Sequence, residues 1–145
     1  MLGGVLRALA EQPIVRDTLD LVTKDPKLWA IFPKLISVKK LTRDDLSQLV
    51  TLIREKKIPS KDLLVLCYGS VTDSLSPEDV ESTLYPLARD LAEAVVPVYQ
   101  VYGMYMFRNR ERWEMCRAVV RELILYEGFL EQLAGSRDEY LWSEL

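Results

Sequence analysis

The feature that most restricts the fold of this chain is a helix-start signature that occurs twice, 34 residues apart. Leu41-Thr42-Arg43-Asp44-Asp45-Leu46 returns as Leu75-Ser76-Pro77-Glu78-Asp79-Val80, and Tyr68-Gly69 returns as Tyr102-Gly103. Each start places a hydroxyl residue before two acids and an apolar stripe. The hydroxyl accepts from the amides that the first turn leaves unpaired, and the acids sit at the positive end of the helix dipole. A period of this size belongs to helical-repeat architectures, in which one helix hairpin cannot bury its apolar face until a neighbour stacks on it. Positions 41–74 and 75–108 are therefore read as repeat units within a single helical domain, 1–145, flanked by helices in 1–40 and 109–145.

The flanks carry the same helical periodicity. Leu2, Val5, Leu6 and Leu9 predict a short amphipathic helix before Pro13, and Ile14, Leu19 and Val22 predict a second. Asp25-Pro26 reads as an N-cap followed by proline at the first position of a third helix, which Pro33 would kink or end, with a short helix from Lys34 to Ser37 adjoining it. Within the repeats, Thr42 predicts a helix over 43–56 with Leu46, Leu49, Val50 and Ile53 inward, and Ser60 predicts a helix leading to Gly69. Ser76-Pro77-Glu78-Asp79 begins another, with a kink expected at Pro86 and an end or kink at Pro97. Asn109 caps a last long helix running to Gly135, with Trp113, Cys116, Val119, Val120, Leu123, Ile124, Leu130 and Leu133 on its apolar face and Gly128 as the point where it would weaken or bend. No stretch alternates with period two for long. The expected fold class is all-α, stacked helical hairpins in a solenoid-like array or a compact bundle.

Composition narrows the function. The 145 residues are 49% hydrophobic and 28% charged, the balance of a folded domain. A net charge of −3 offers polyanions no overall attraction, so a nucleic-acid partner is not expected without a local basic patch. The chain contains no histidine, which removes His-dependent triads, His-ligated zinc and imidazole acid–base chemistry. Leu2-Gly3-Gly4-Val5 lacks the Lys and Ser/Thr of a phosphate loop. Cys67 and Cys116 lie in apolar helical stretches and read as core fillers in a reducing compartment. The N-terminus lacks a secretory leader, Leu2 excludes myristoylation, and no apolar run reaches the roughly 20 residues of a membrane span. A cytoplasmic location follows as the expectation, with neither catalytic residue, metal nor cofactor assigned.

Four groups of side chains remain as candidates. The acid pairs Asp44/Asp45 and Glu78/Asp79 are explained by the helix dipole. Glu127 falls in the apolar seam of the last helix, where it would pair with an arginine or face a groove. In the arginine-rich segment 108–121, Arg110, Arg117 and Arg121 are spaced by seven and four and so share one helical face, interleaved with Glu111, Glu114 and Glu122. That face can be a solvated salt-bridged surface, or it can bind an anion, a nucleic acid or an acidic partner. Tyr99, Tyr102 and Tyr105, three apart, line either the core or a groove that a small-molecule binder or an enzyme would use, and Trp142 near the C-terminus is a candidate anchor for a partner.

Two segments carry a family resemblance. Trp29-Ala30-Ile31-Phe32-Pro33-Lys34-Leu35-Ile36 and Thr83-Leu84-Tyr85-Pro86-Leu87-Ala88-Arg89-Asp90-Leu91 resemble the first-helix pattern of HEAT-type repeats, in which proline kinks a leucine-rich helix. The resemblance implies a scaffold or binding role. The functional expectation is thus a non-enzymatic protein-interaction module whose partner is another protein and whose contact surface contains Arg110, Arg117, Arg121 or Trp142.

Overall fold

Helices form where the caps and stripes place them. The computed structural model describes residues 13–142 apart from Gly69 and Arg108, and leaves the side chains of Ile14 and 137–142 undescribed. The expected helix at Leu2–Leu9 lies outside the described residues. The described residues form seven α-helices: α1 Pro13–Lys24, α2 Phe32–Ser37, α3 Arg43–Arg54, α4 Pro77–Asp90, α5 Val95–Phe107, α6 Arg110–Ile124 and α7 Phe129–Trp142. Three 3-10 segments, Trp29–Ile31, Ser60–Cys67 and Ala92–Ala94, join them. Among the described residues there is no strand, so the all-α reading holds.

The two duplicated starts are structurally equivalent. Thr42 accepts from the Asp45 amide and Ser76 from the Asp79 amide, and each caps a helix whose inward positions match at the same offset: Leu46, Leu49, Val50 and Ile53 on α3, Val80, Thr83, Leu84 and Leu87 on α4. Even the residues just before the caps correspond, because Leu41 and Leu75 are both buried and both carbonyls accept a hydroxyl, from Ser74 at 2.6 Å and Tyr105 at 2.7 Å. Beyond the first helices the correspondence stops. Ser60–Cys67 is a 3-10 segment, whereas its counterpart, 94–101, lies in α5 from Val95 onward. Tyr68 is 58% exposed on extended backbone, while Tyr102 is fully buried within a helix, so the two tyrosines are not equivalent. Gly103 does not end its helix either, since α5 continues to Phe107.

Several proline and cap readings are corrected. Asp25 closes a turn by accepting from the Lys27 amide at 3.0 Å, and α2 begins only at Phe32, with Pro33 in its first turn. There a proline costs nothing, because first-turn amides have no helical acceptor. Ser60 caps no helix; its hydroxyl donates to the Glu93 carbonyl at 2.9 Å and ties its 3-10 segment to the one that precedes α5. Pro86 lies inside α4 without ending it, and the break comes at Leu91, which adopts extended backbone. Pro97 falls in the first turn of α5. The last long helix is two helices, parted by a turn at 125–128 in which Gly128 has a φ of 85°.

α5 is the hub, packed against α4, α6, α7 and the Ser60–Cys67 segment. A helix covered on several sides must be apolar on several sides, and Val95, Val96, Val98, Val101, Tyr102, Tyr105 and Met106 are buried along it. Tyr102, Tyr105, Phe32, Leu84 and Leu87 join the remaining inward side chains in a hydrophobic core cluster.

Candidate interaction surface on the arginine-rich helix

Asn109 starts α6 by accepting from the Glu111 amide at 2.9 Å, which fixes the register of the helix. Cys116, Val119, Val120 and Leu123 then point into the core. This register leaves Arg110, Arg117 and Arg121 exposed together on one face. Arg117 pairs with Glu114 at 3.3 Å, both side chains largely in solvent, a geometry worth little energy.

The arginine cluster divides, however. Arg112 is not part of the exposed face: its guanidinium lies 4.2 Å over the Tyr105 ring, donates to the carbonyls of Tyr105 at 3.3 Å and Asp73 at 3.0 Å, and pairs with the Asp73 carboxylate. Tyr105 in turn donates to the Leu75 carbonyl, so one arginine and one tyrosine pin the turn at 73–75 to α5 and α6. Burial pushes the Tyr105 phenol up to about 12 even though Arg112 opposes the shift. Arg108 lies outside the described residues.

Two large apolar residues expected in the core are exposed beside the arginines. Trp113 is 51% and Ile124 44% exposed, and with Val120 at the core boundary they repeat the seven-and-four spacing of Arg110, Arg117 and Arg121. An apolar stripe and a cationic stripe thus run parallel along α6. Leu125, 73% exposed, and Leu130 extend apolar surface past its C-terminal end. Periodicity alone counted Trp113, Ile124 and Leu130 as inward because a stripe wider than the contact looks the same in sequence as one fully covered.

The other candidates are displaced. Tyr102 and Tyr105 are fully buried and Tyr99 sets its ring edge-on to Phe129 at 5.0 Å between centroids, so the tyrosines form core and no groove. The Tyr102 hydroxyl is buried with no hydrogen-bond partner among the described residues, and burial raises its pKa. Glu127 is exposed in the turn between α6 and α7. The buried acid is instead Asp45, which accepts from the Thr42 amide and hydroxyl and pairs with Lys39 at 2.6 Å. Glu78 is exposed, and Asp79 faces Arg43 at 3.6 Å. Trp142 ends α7, and its side chain lies outside the described residues.

Cys67 and Cys116 are free thiols, and burial pushes each up to about 11, far from the thiolate a nucleophile requires. Among the described residues no three Cys, Asp or Glu side chains gather as metal ligands, and no helix is long and apolar enough to cross a membrane. A groove of about 770 Å³ opens between Ser60–Leu64, the start of α5 and α7, with Leu64, Val96 and Pro97 inside and Gln100 and Gln132 along it. Burial raises the Asp62 carboxyl at its edge, against the lowering by Lys61 and Lys34.

No family model matches the chain, and neither the curated proteins nor the solved structures yield a counterpart to it.

Proposed function

We propose that this chain is a non-enzymatic protein-interaction module, free-standing or part of a larger assembly, that holds another protein on the exposed face of α6. The observation that carries the reading is the pairing of Trp113 and Ile124, exposed and apolar, with Arg110, Arg117 and Arg121 on the same side of one helix. Tryptophan and arginine are the side chains that contribute most per residue at protein interfaces, and a helix anchored along its opposite face presents them rigidly. HEAT-like stacking of hairpins belongs to the same proposal, as does Trp142 as a second contact. A reading as a binder of anions or nucleic acid draws on the same aligned arginines and differs in its salt dependence, since phosphate contacts release counterions.

The test is capture from a lysate of the source cells by the tagged full chain, with the bound proteins identified. Arg117→Glu with Arg121→Glu is expected to abolish capture while the melting temperature stays nearly unchanged, because exposed charges add little to folding. Capture that survives both this double variant and Trp142→Ala removes these residues from the proposal. Turnover of any substrate that Glu127→Gln abolishes would overturn the non-enzyme reading.

A further inference from the structure

Resting on the reading of α6 as the docking face, we infer that its occupant is an acidic amphipathic helix of another protein. The shape of the face argues for a helix. Trp113 and Ile124 are eleven residues apart, about 16 Å along the axis, so an antiparallel or parallel helix can cover both with apolar side chains about three turns apart. The flank of that helix would then lie along Arg110, Arg117 and Arg121, where carboxylates complete the charge pairing. Among the described residues only Arg117 of the three forms an ion pair, with Glu114, so the stripe presents more positive than negative charge.

The same charge argues against a second copy of this chain. Apposing two α6 faces would bring six arginines together against two copies of Glu114, and like charges across an interface are strongly unfavourable. It also argues against a membrane surface. A helix lying in a bilayer turns its apolar side outward, with cations at the borders, whereas here Glu114 and Arg121 fall opposite the buried Cys116, Val119 and Leu123. Trp113 and Ile124 lie between that crest and the core, where a neighbouring helix reaches them and a flat surface does not.

The test uses the full chain and two designed peptides of about 15 residues, the length of α6. Both carry leucines at i, i+4, i+7 and i+11; one has glutamates on the adjoining flank, the other lysines. The acidic peptide is expected to bind, to weaken about tenfold on Arg117→Glu with Arg121→Glu, and to lose affinity as salt rises, while the lysine peptide gains on that variant. Trp113→Ala should weaken the acidic peptide without altering its salt dependence. Equal binding of the two peptides overturns the inference, as does partition onto vesicles of phosphatidylcholine and phosphatidylserine in preference to the peptide, or self-association that the double variant dissolves. If the double variant loses lysate capture yet the acidic peptide fails to bind, the α6 site stands and the helical, acidic partner falls. If the peptide binds regardless of α6 substitutions, the docking site itself is elsewhere.

Discussion

Lys56 carries a backbone conformation that lysine rarely adopts. It ends α3 at a φ of 58°, where the Lys57 amide reaches back to the Leu52 carbonyl at 2.9 Å, the geometry of a helix terminus closed by a left-handed residue. Glycine tolerates that region without the clash of a Cβ, so Lys56→Gly is expected to stabilise the protein by roughly 0.5–1 kcal/mol in chemical denaturation. Gly128 is the converse case: its φ of 85° turns the chain from α6 into α7, with open space where a Cβ would stand. Gly128→Ala should therefore cost about 1 kcal/mol through the backbone alone. Gly103 is helical, exposed and equally uncrowded, and Gly103→Ala should gain about 0.5–1 kcal/mol. Lys39 matters for a different reason. Removing it leaves the buried Asp45 carboxylate with only its two hydrogen bonds from Thr42, so Lys39→Ala should cost roughly 1–3 kcal/mol, whereas Arg117→Ala should cost under about 0.5 kcal/mol. The sequence showed Asp45 only as a first-turn acid, since Lys39 is placed against it by the bend between α2 and α3.

Elements differ in how much of their role their own residues decide. α4 is secured locally by Ser76 and Pro77 and by Leu84 and Leu87 in the core. Ser76→Ala should cost about 1 kcal/mol and Leu84→Ala roughly 2–5 kcal/mol. In α6, Leu123→Ala should fall in the same 2–5 kcal/mol range, Trp113→Ala near about 1 kcal/mol because half of that side chain is in solvent, and Arg110→Ala close to nothing. Equal denaturation midpoints for these three variants would mean that the inward and outward faces of α6 are wrongly assigned. The arginine alignment was legible from spacing alone, because one register of a helix fixes which residues share a face. That Arg112 leaves the cluster and that Trp113 and Ile124 join it was not legible. Those outcomes depend on how far α4, α5 and the turn at 73–75 extend across α6, a tertiary quantity.

At the scale of the molecule, groups buried uncharged link stability to pH. Cys67 and Cys116 titrate near 9 when exposed and about 11 when folded, and Tyr105 moves from 10 to about 12. The folded state therefore binds protons more tightly than the unfolded chain. That stability is complete below pH 8 or so, and is lost as pH rises through the folded values, with the steepest fall expected between about pH 9 and 11. Melting temperatures across pH 7 to 11 check this, and Cys116→Ala with Cys67→Ala should flatten the slope. Local chemistry settled the helix starts at Thr42, Ser76 and Asn109, because a cap and its first turn involve residues within three positions of one another. It likewise settled the all-α class, since helical periodicity is carried by neighbours in sequence. Where helices stop and what they cover was decided by packing. Ser60 turns from capping to hold Glu93, α4 passes through Pro86, and Tyr68 is exposed where Tyr102 is buried because only the second lies on α5, the helix that packs against α4, α6 and α7. A stripe of apolar residues states that a helix has a face; the number of neighbours available to cover it decides how much of that face remains for a partner.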